Sequence, residues 1–137
     1  MQWDASLPNG GFTGEKVIPW MRTNTSTSEI NVAQQTANKD SNLGFWRKVN
    51  EVRRAYSDVL VDGIFELVEG TGENVFAFHK KGKRRSAFVV CNFSGQASEV
   101  SAALAKEMKG KSLVLGNVGQ SEGSLLQPWE GRLYVKA

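Results

Sequence analysis

The segment SAFVVCNF, residues 86–93, is an apolar run bounded on its C-terminal side by the turn-like pair Ser94-Gly95. Its aromatic and β-branched side chains are types that pack well on a pleated sheet. A short apolar run next to a turn signal is typical of a buried strand. We therefore predict that residues 86–93 form a strand.

Four further segments after residue 60 have the same character: residues 63–68, 74–79, 111–115 and 131–135. Glycine-rich turns lie between several of them. Short strands at steady spacing with such turns predict a small antiparallel β-sandwich. Residues 101–108, SAALAKEM, are less clear, because Ala, Leu, Lys and Glu favour a helical turn whereas an edge of the sandwich could occupy the same place.

Residues 40–60, DSNLGFWRKVNEVRRAYSDVL, precede these strands and carry a helical repeat. Apolar side chains recur at intervals of three and four: Phe45, Val49, Val52, Tyr56 and Leu60, with Trp46 beside them. Asp40 or Ser41 can supply the N-cap oxygen. The pattern predicts one amphipathic helix with a broad apolar stripe that packs against a substantial partner.

Residues 1–38 show no sustained repeat and are rich in Asn, Thr, Ser and Gly. A loop of this length is usually functional or disordered, and its aromatic residues argue against disorder. Trp3 and Phe12 stand beside Asp4 and Asn9, a combination suited to carbohydrate recognition, in which aromatic faces cover a sugar ring and polar groups bind its hydroxyls. Simple anchoring of the loop by its aromatics fits equally well.

Length and composition limit the classes of protein that fit. The 137 residues suffice for one domain, or for one small domain with an appendage. A net charge of +3 is too weak to imply nucleic acid by itself. No apolar run approaches the roughly 20 residues of a membrane span, and no signal-peptide pattern is visible. We expect a soluble, cytoplasmic protein with no membrane partner.

Few side chains are suited to catalysis or metal binding. The single histidine, His79, and the single cysteine, Cys91, cannot form a zinc centre or an internal disulfide. We predict no metal and no cofactor, and we expect Cys91 to be a buried, inert thiol. Two carboxylate pairs, Asp58 with Asp62 and Glu66 with Glu69, could be imagined as an acid and a base, but their pattern places them on solvated faces or turns.

The basic cluster KKGKRR, residues 80–85, is the most visible charge feature. We interpret it chiefly as a solvated hairpin tip, where charge discourages edge-to-edge pairing of strands. Nucleic-acid binding would require interleaved aromatics and a second basic patch, so it ranks last among the functions considered.

Several ordered motifs resemble the late part of α-glucosidases of the α-amylase superfamily, most of all fungal maltases and oligo-1,6-glucosidases. The motifs are MQWD at 1–4, NGGFT at 9–13, PWMR at 19–22, INVAQQ at 30–35, SNLGFWRKV at 41–49, LVDGIFEL at 60–67, NVFAF at 74–78, VVCNFS at 89–94 and LQPWEGRLY at 126–134. The resemblance covers essentially the whole chain.

The resemblance implies a role for each segment. Residues 1–38 would border the substrate pocket of a (β/α)₈ barrel, residues 39–60 would be the last barrel helix, and residues 61–137 would form the C-terminal β-sandwich domain. The predicted fold class is therefore mainly β: a small antiparallel β-sandwich after a long loop and one amphipathic α-helix left from a barrel. Gln2, Trp3 and Asp4 would approach substrate when the barrel is present.

The same resemblance implies that this chain is not catalytic by itself. Family members are retaining enzymes, which need an Asp nucleophile and a Glu acid/base roughly 5–5.5 Å apart. In the family both belong to motifs upstream of MQWD, together with a third Asp that helps bind the sugar. An arginine usually found shortly before MQW is also missing. Thr25-Ser26-Thr27 replaces a stretch that commonly carries an aromatic residue.

Two functions follow as alternatives. The first is the C-terminal part of an α-glucosidase acting on α-glucosides such as maltose or isomaltose, with the catalytic barrel of the same enzyme as its partner. The second is a free-standing, non-catalytic β-sandwich that binds a carbohydrate or a protein. In that case the apolar stripe of the helix would pack on the sandwich or on a second copy of the chain.

Overall fold

A computed structural model describes residues 1–119 and 123–136. These residues form two compact units, Met1–Asn50 and Glu51–Ala137. The boundary between the units falls inside a helix.

The first unit contains two short 3₁₀ helices, Pro8–Gly11 and Thr25–Ser28, followed by α1, Val32–Ala37. Asn31 caps α1, because its side-chain oxygen accepts a hydrogen bond from the Gln34 amide at 2.9 Å. The predicted loop is therefore structured by three helical elements. None is long enough to show a hydrophobic repeat, which is why the sequence pattern did not reveal them.

Helix α2, Asn42–Ala55, begins where the capping pattern predicts. Of the two predicted capping residues, Ser41 is the one used, since its hydroxyl accepts from the Gly44 amide at 3.0 Å. The prediction of one continuous helix to residue 60 is wrong. At Tyr56 the backbone leaves the helical region (φ −117°, ψ 32°), and a separate single turn, α3, Ser57–Leu60, follows.

The second unit is built on a five-stranded sheet with the order β1-β2-β3-β7-β5. The strands are β1 Ile64–Leu67, β2 Val75–Lys81, β3 Ser86–Asn92, β5 Ser112–Gly116 and β7 Gly131–Lys136. Every neighbouring pair is antiparallel. The predicted strands are confirmed, and the segment 86–93 supplies the middle strand of the sheet.

Each face of this sheet carries its own apolar core. One core joins Phe88, Val90 and Tyr134 to Leu104 of the helix α4, Ala102–Met108, and to Leu126. Leu126 belongs to a small second sheet made of β4, Ser98–Glu99, and β6, Leu125–Leu126. These elements form a second layer, so the predicted mainly antiparallel β fold is confirmed. Residues 101–108 take the helical option.

The other core lies on the opposite face of the sheet. Val59 of α3, which is fully buried, packs with Ala87, Leu133 and Val135. Val52, Tyr56 and Leu60 are partly buried against the same cluster. The break at Tyr56 explains how α3 reaches this face, because it redirects the chain before Val59. The C-terminal part of the predicted apolar stripe is thus packed on the sheet.

Many large apolar side chains of the first unit are exposed. The exposed fraction is 92% for Ile18, 95% for Trp20 and 64% for Trp46. Within the described residues, no helix has the length and apolar character required to cross a bilayer.

Candidate functional site

The first four residues are fixed by backbone hydrogen bonds to two neighbouring segments. The Trp3 amide donates to the Gly10 carbonyl oxygen at 2.8 Å, while the amides of Val32 and Ala33 donate to the carbonyls of Gln2 and Trp3 at 2.8 and 2.9 Å. Gln2 also forms a parallel bridge with Asn31. The motif MQWD is therefore held between the 3₁₀ turn at Gly10 and the start of α1.

Gln2 faces the interior of this unit, with only 7% of its surface exposed. In the orientation that satisfies both ends of its amide, the nitrogen donates to the Ile30 carbonyl at 3.2 Å and the oxygen accepts from the Asn24 amide at 3.3 Å. A Cβ added at Gly10 would come within 3.3 Å of the Gln2 side chain. Gln2 thus supports the loop from beneath.

Trp3 and Asp4 lie at the surface of the same loop. Trp3 is 55% exposed. The Asp4 carboxylate accepts hydrogen bonds from the backbone amide and the hydroxyl of Ser6, at 2.8 and 2.7 Å. These bonds, the backbone one first, lower the pKa of Asp4 from its ordinary value. Asp4 is consequently a carboxylate at neutral pH, and an exposed aromatic ring stands beside a fixed acceptor.

A groove of about 580 Å³ lies in the same unit. Asn9 organises one of its walls, because its side-chain nitrogen donates to the Thr13 hydroxyl at 2.9 Å and to the Val17 carbonyl at 3.0 Å. The groove is lined by Phe12, Thr13, Val17, Ile18, Pro19, Trp20, Met21, Arg22 and Thr23. Its lining is mainly apolar and aromatic, as ligand grooves usually are.

The charged hairpin between β2 and β3 is partly neutralised by neighbouring carboxylates. Arg85 lies 3.3 Å from Asp58 and covers the ring of Tyr56, with 5.3 Å between its guanidinium carbon and the ring centroid. Lys81 pairs with Glu66. Asp58 and Glu66 therefore form ion pairs with cations of the hairpin. Each is one member of the two carboxylate pairs considered from the sequence, Asp58 with Asp62 and Glu66 with Glu69.

The lone histidine and the lone cysteine both lie in the sheet. The His79 ring packs on Phe88, with 5.0 Å between ring centroids, and its Nε2 is 3.6 Å from a carboxylate oxygen of Glu107. Cys91 is half-buried, and burial raises the pKa of its thiol. Within residues 1–119 and 123–136, no cluster of three His, Cys, Asp or Glu side chains could hold a metal ion.

Sequence patterns missed a buried ion pair in β7 and the turn before it. Glu130 and Arg132 are each 1% exposed, and the Arg132 Nε donates to the Glu130 Oε1 at 2.7 Å. Arg132 also donates to the carbonyls of Gly123 and Leu125. The pair was detectable as two opposite charges at a spacing of two, which places both on one face of a strand. Its role is structural.

The chain matches two successive family models. Residues 1–63 match the alpha amylase catalytic domain, and residues 67–127 match the alpha amylase C-terminal all-beta domain. The junction between the two matches lies at the start of β1.

The chain belongs to the α-amylase family.

Relatives of this chain include yeast proteins named alpha-glucosidase and oligo-1,6-glucosidase. Over 98% of this chain, identity is 35% to alpha-glucosidase MAL12 of Saccharomyces cerevisiae, 35% to an alpha-glucosidase of Candida albicans and 33% to oligo-1,6-glucosidase IMA3 of S. cerevisiae. The chain spans about a quarter of their length, 24%, 23% and 24% respectively. It thus corresponds to a portion of an α-glucosidase-type glycoside hydrolase.

Two solved structures have the same fold over nearly the whole chain. A trehalose-6-phosphate hydrolase of Bacillus licheniformis superimposes with a TM-score of 0.82 at 22% identity, over 98% of this chain and 24% of that one. An isomaltulose synthase of Erwinia rhapontici gives 0.80 at 25% identity over the same shares. This chain, including its mainly β portion, therefore has the fold of the corresponding quarter of these two enzymes.

Proposed function

We propose that this chain supplies the pocket-bordering loop, the last barrel helix and the C-terminal β-domain of an α-glucosidase. In this proposal the parts are residues 1–38, 39–60 and 61–137. The observation that carries it is the 35% identity to yeast α-glucosidase over 98% of the chain, which spans both the catalytic-domain match and the all-β match.

The chain completes and stabilises a catalytic barrel and does not hydrolyse glucosides alone. A retaining glycosidase needs a carboxylate nucleophile and a carboxylic acid facing each other across the scissile bond. In this chain the carboxylates of Asp58 and Glu66 pair with its own cations, and that of Asp4 accepts from the Ser6 hydroxyl. The expected partner is the barrel of the same enzyme, and the expected substrate is an α-glucoside such as maltose or isomaltose.

Substrate contact in the completed enzyme is assigned to the loop at residues 1–4. Exposed Trp3 offers a ring face, and the Asp4 carboxylate, held by Ser6, offers an acceptor for a sugar hydroxyl. Gln2 acts from below by fixing this loop through Ile30 and Asn24. Removing the Asp4 charge should therefore raise KM for the glucoside and should have little effect on the stability of the chain.

The test is hydrolysis of an aryl α-glucoside by three samples: this chain, alpha-glucosidase MAL12 lacking the segment that this chain matches, and their co-expressed mixture. Activity only in the mixture is expected. In the active mixture, Asp4→Asn should raise KM roughly tenfold or more, the loss of one charge-assisted hydrogen bond. Glu15→Gln, an exposed acidic residue of the same unit, is the matched control and should leave KM unchanged.

Hydrolysis by the chain alone would contradict the proposal. If no sample hydrolyses the glucoside although the chain is well folded, the free-standing carbohydrate- or protein-binding module is favoured. Sugar titrations of the chain would then test that alternative. A cytoplasmic location stays a prediction, which cell fractionation would test.

A further inference from the structure

The helix α1 holds the loop at residues 1–4 through its free backbone amides. The first amides of a helix have no partner within the helix. In α1 the Val32 amide donates to the Gln2 carbonyl at 2.8 Å, and the Ala33 amide donates to the Trp3 carbonyl at 2.9 Å. The loop that we assign to substrate contact is therefore attached to the first turn of this helix.

Asn31 fixes the position of that first turn. Its side-chain oxygen accepts from the next free amide, that of Gln34, at 2.9 Å, and so caps the helix. Asn31 is only 1% exposed. A buried amide that loses a hydrogen bond costs free energy, so Asn31 and its partners hold one another in a single arrangement.

The nitrogen of the same side chain holds a second support of the loop. It donates to the Thr27 carbonyl at 2.9 Å, within the 3₁₀ helix Thr25–Ser28. That helix follows Asn24, whose backbone amide binds the Gln2 side chain. Asn31 therefore joins the two segments between which Gln2 is fixed.

The 3₁₀ helix also touches the backbone that fixes Trp3 and Asp4. A Cβ added at Gly10 would come within 3.3 Å of the Thr27 methyl group, so Thr27 lies directly against Gly10. The Gly10 carbonyl accepts from the Trp3 amide at 2.8 Å and from the Asp4 amide at 3.3 Å. A displacement of Thr27 is therefore transmitted to both residues that we assign to the sugar.

A second hydrogen bond joins α1 to the 3₁₀ helix, but it is the weaker of the two. The Gln34 side-chain nitrogen donates to the Ser28 carbonyl at 2.8 Å. Gln34 is exposed, so water can replace this bond at little cost. The Asn31 side chain is buried, and its loss is not compensated in the same way.

We propose that Asn31 is a positioning residue for substrate binding, which sets where Trp3 and Asp4 meet the glucoside by joining α1 to the 3₁₀ helix Thr25–Ser28. The inference rests on the proposed function, which assigns substrate contact to residues 1–4. Asn31 acts through this loop and does not touch the sugar, because its side chain is buried and both ends of its amide are bonded within the unit.

The experiment measures KM and kcat for an aryl α-glucoside in the co-expressed mixture of this chain with the truncated MAL12. In Asn31→Asp the carboxylate keeps the helix cap, since Asp is as good an N-cap as Asn, but it cannot donate to the Thr27 carbonyl. The matched control is Asn92→Asp in the second unit. Asn92 is 2% exposed, and its amide also donates to carbonyls, at 2.7 Å to Gln96 and at 2.9 Å to Gln127.

Both substitutions should lower the urea midpoint of the chain, because each places an acceptor against a buried carbonyl oxygen. Only Asn31→Asp should raise KM, by roughly tenfold, as expected when one charge-assisted hydrogen bond to the sugar is misplaced. Asn92→Asp, far from the loop in sequence and in another unit, should leave KM within about twofold of the wild type. A loss of folded material lowers the maximal rate and leaves KM unchanged, so KM separates positioning from stability.

A double variant tests whether Asn31 acts through the loop. If Asn31→Asp displaces Asp4, the combined rise in KM with Asp4→Asn should be smaller than the product of the two separate rises. A combined rise equal to that product overturns the inference. An active mixture in which Asn31→Asp leaves KM unchanged, or in which Asn92→Asp raises it equally, also overturns the role of Asn31 and leaves the proposed function standing. An inactive wild-type mixture overturns the proposed function and, with it, the inference.

Discussion

At the scale of single residues, the ion pair of Glu130 and Arg132 has the largest expected effect on stability. Burial disfavours the charged guanidinium, but hydrogen bonds and attraction from Glu130 and Tyr134 outweigh it and raise the pKa of Arg132. Glu130→Ala removes the buried countercharge of an arginine that stays charged. We expect the free energy of unfolding in urea to fall by about 3–5 kcal/mol.

Glu73→Ala is the matched control, because Glu73 is exposed and precedes β2 in the same unit. Its free energy of unfolding should stay within about 0.5 kcal/mol of the wild type. Equal effects of the two substitutions would show that the interior tolerates an unpaired Arg132.

The thiol of Cys91 gives the protein a pH dependence in the alkaline range. Burial raises its pKa above the ordinary 9.0, so the unfolded chain loses the proton before the folded chain does. The stability that this group contributes is therefore complete below pH 9.0 and is lost as pH rises through the folded pKa.

Alkylation by iodoacetamide checks this prediction, because the thiolate is the reacting species. At pH 8 the native chain should react more slowly than the chain in urea, and the rate should rise most steeply above pH 9.0. In Cys91→Ala the alkaline loss of stability should shrink. Native and unfolded chains reacting at the same rate would contradict the raised pKa.

At the scale of elements, Gly44 reverses an ordinary rule about helices. Replacing glycine by alanine inside a helix normally stabilises it by about 1 kcal/mol. At Gly44, however, an added Cβ would lie 2.8 Å from the carbonyl carbon of Lys39 and closer still to its oxygen. Gly44→Ala should therefore lower both the helical CD signal and the urea midpoint.

Asn50→Ala is the comparison within the same helix. Asn50 is exposed and its side chain contacts the Trp46 carbonyl. Because alanine is the better helix former, this substitution should be neutral or stabilising by a few tenths of a kcal/mol. A stabilising Gly44→Ala would show that the turn before α2 moves freely.

The strands that the sequence predicted are those with apolar runs beside glycine-rich turns. The segment 86–93 carried enough local signal to identify β3. In contrast, β4 and β6 have two residues each and depend on pairing with one another across Ser98 and Leu126. A two-residue strand has no repeat, so its position follows from tertiary contacts that no local pattern contains.

The candidate site, too, was located from the sequence only in part, because tertiary contacts set the roles of its side chains. The resemblance to α-glucosidases pointed to Gln2, Trp3 and Asp4, but the sequence could not distinguish Gln2, whose amide is used inside the loop, from exposed Trp3. That difference arises from hydrogen bonds to residues 24 and 30. The prediction of a helix to residue 60 was wrong for the same reason: the turn at Tyr56 is set by the packing of Val59 on the sheet, a tertiary contact.

At the scale of the whole molecule, the four tryptophans report whether the chain is covered by a larger partner. Their exposed fractions are 55% for Trp3, 95% for Trp20, 64% for Trp46 and 62% for Trp129. The first three lie in the range that matches the catalytic domain, whereas Trp129 lies outside both matched ranges. If a barrel completes this chain, Trp20 and Trp46 should lose contact with water, whereas Trp129 and Trp3, which belongs to the proposed pocket-bordering loop, should keep it.

Fluorine NMR of the chain labelled with 5-fluorotryptophan separates these cases, since only this chain carries the label. Four Trp→Phe variants assign the resonances. On addition of the unlabelled MAL12 portion, the resonances of Trp20 and Trp46 should shift and lose their H₂O/D₂O solvent effect, because burying exposed aromatic surface drives association. Trp129 is the internal control. Restored activity with all four resonances unchanged would mean that the barrel binds this chain through a different surface.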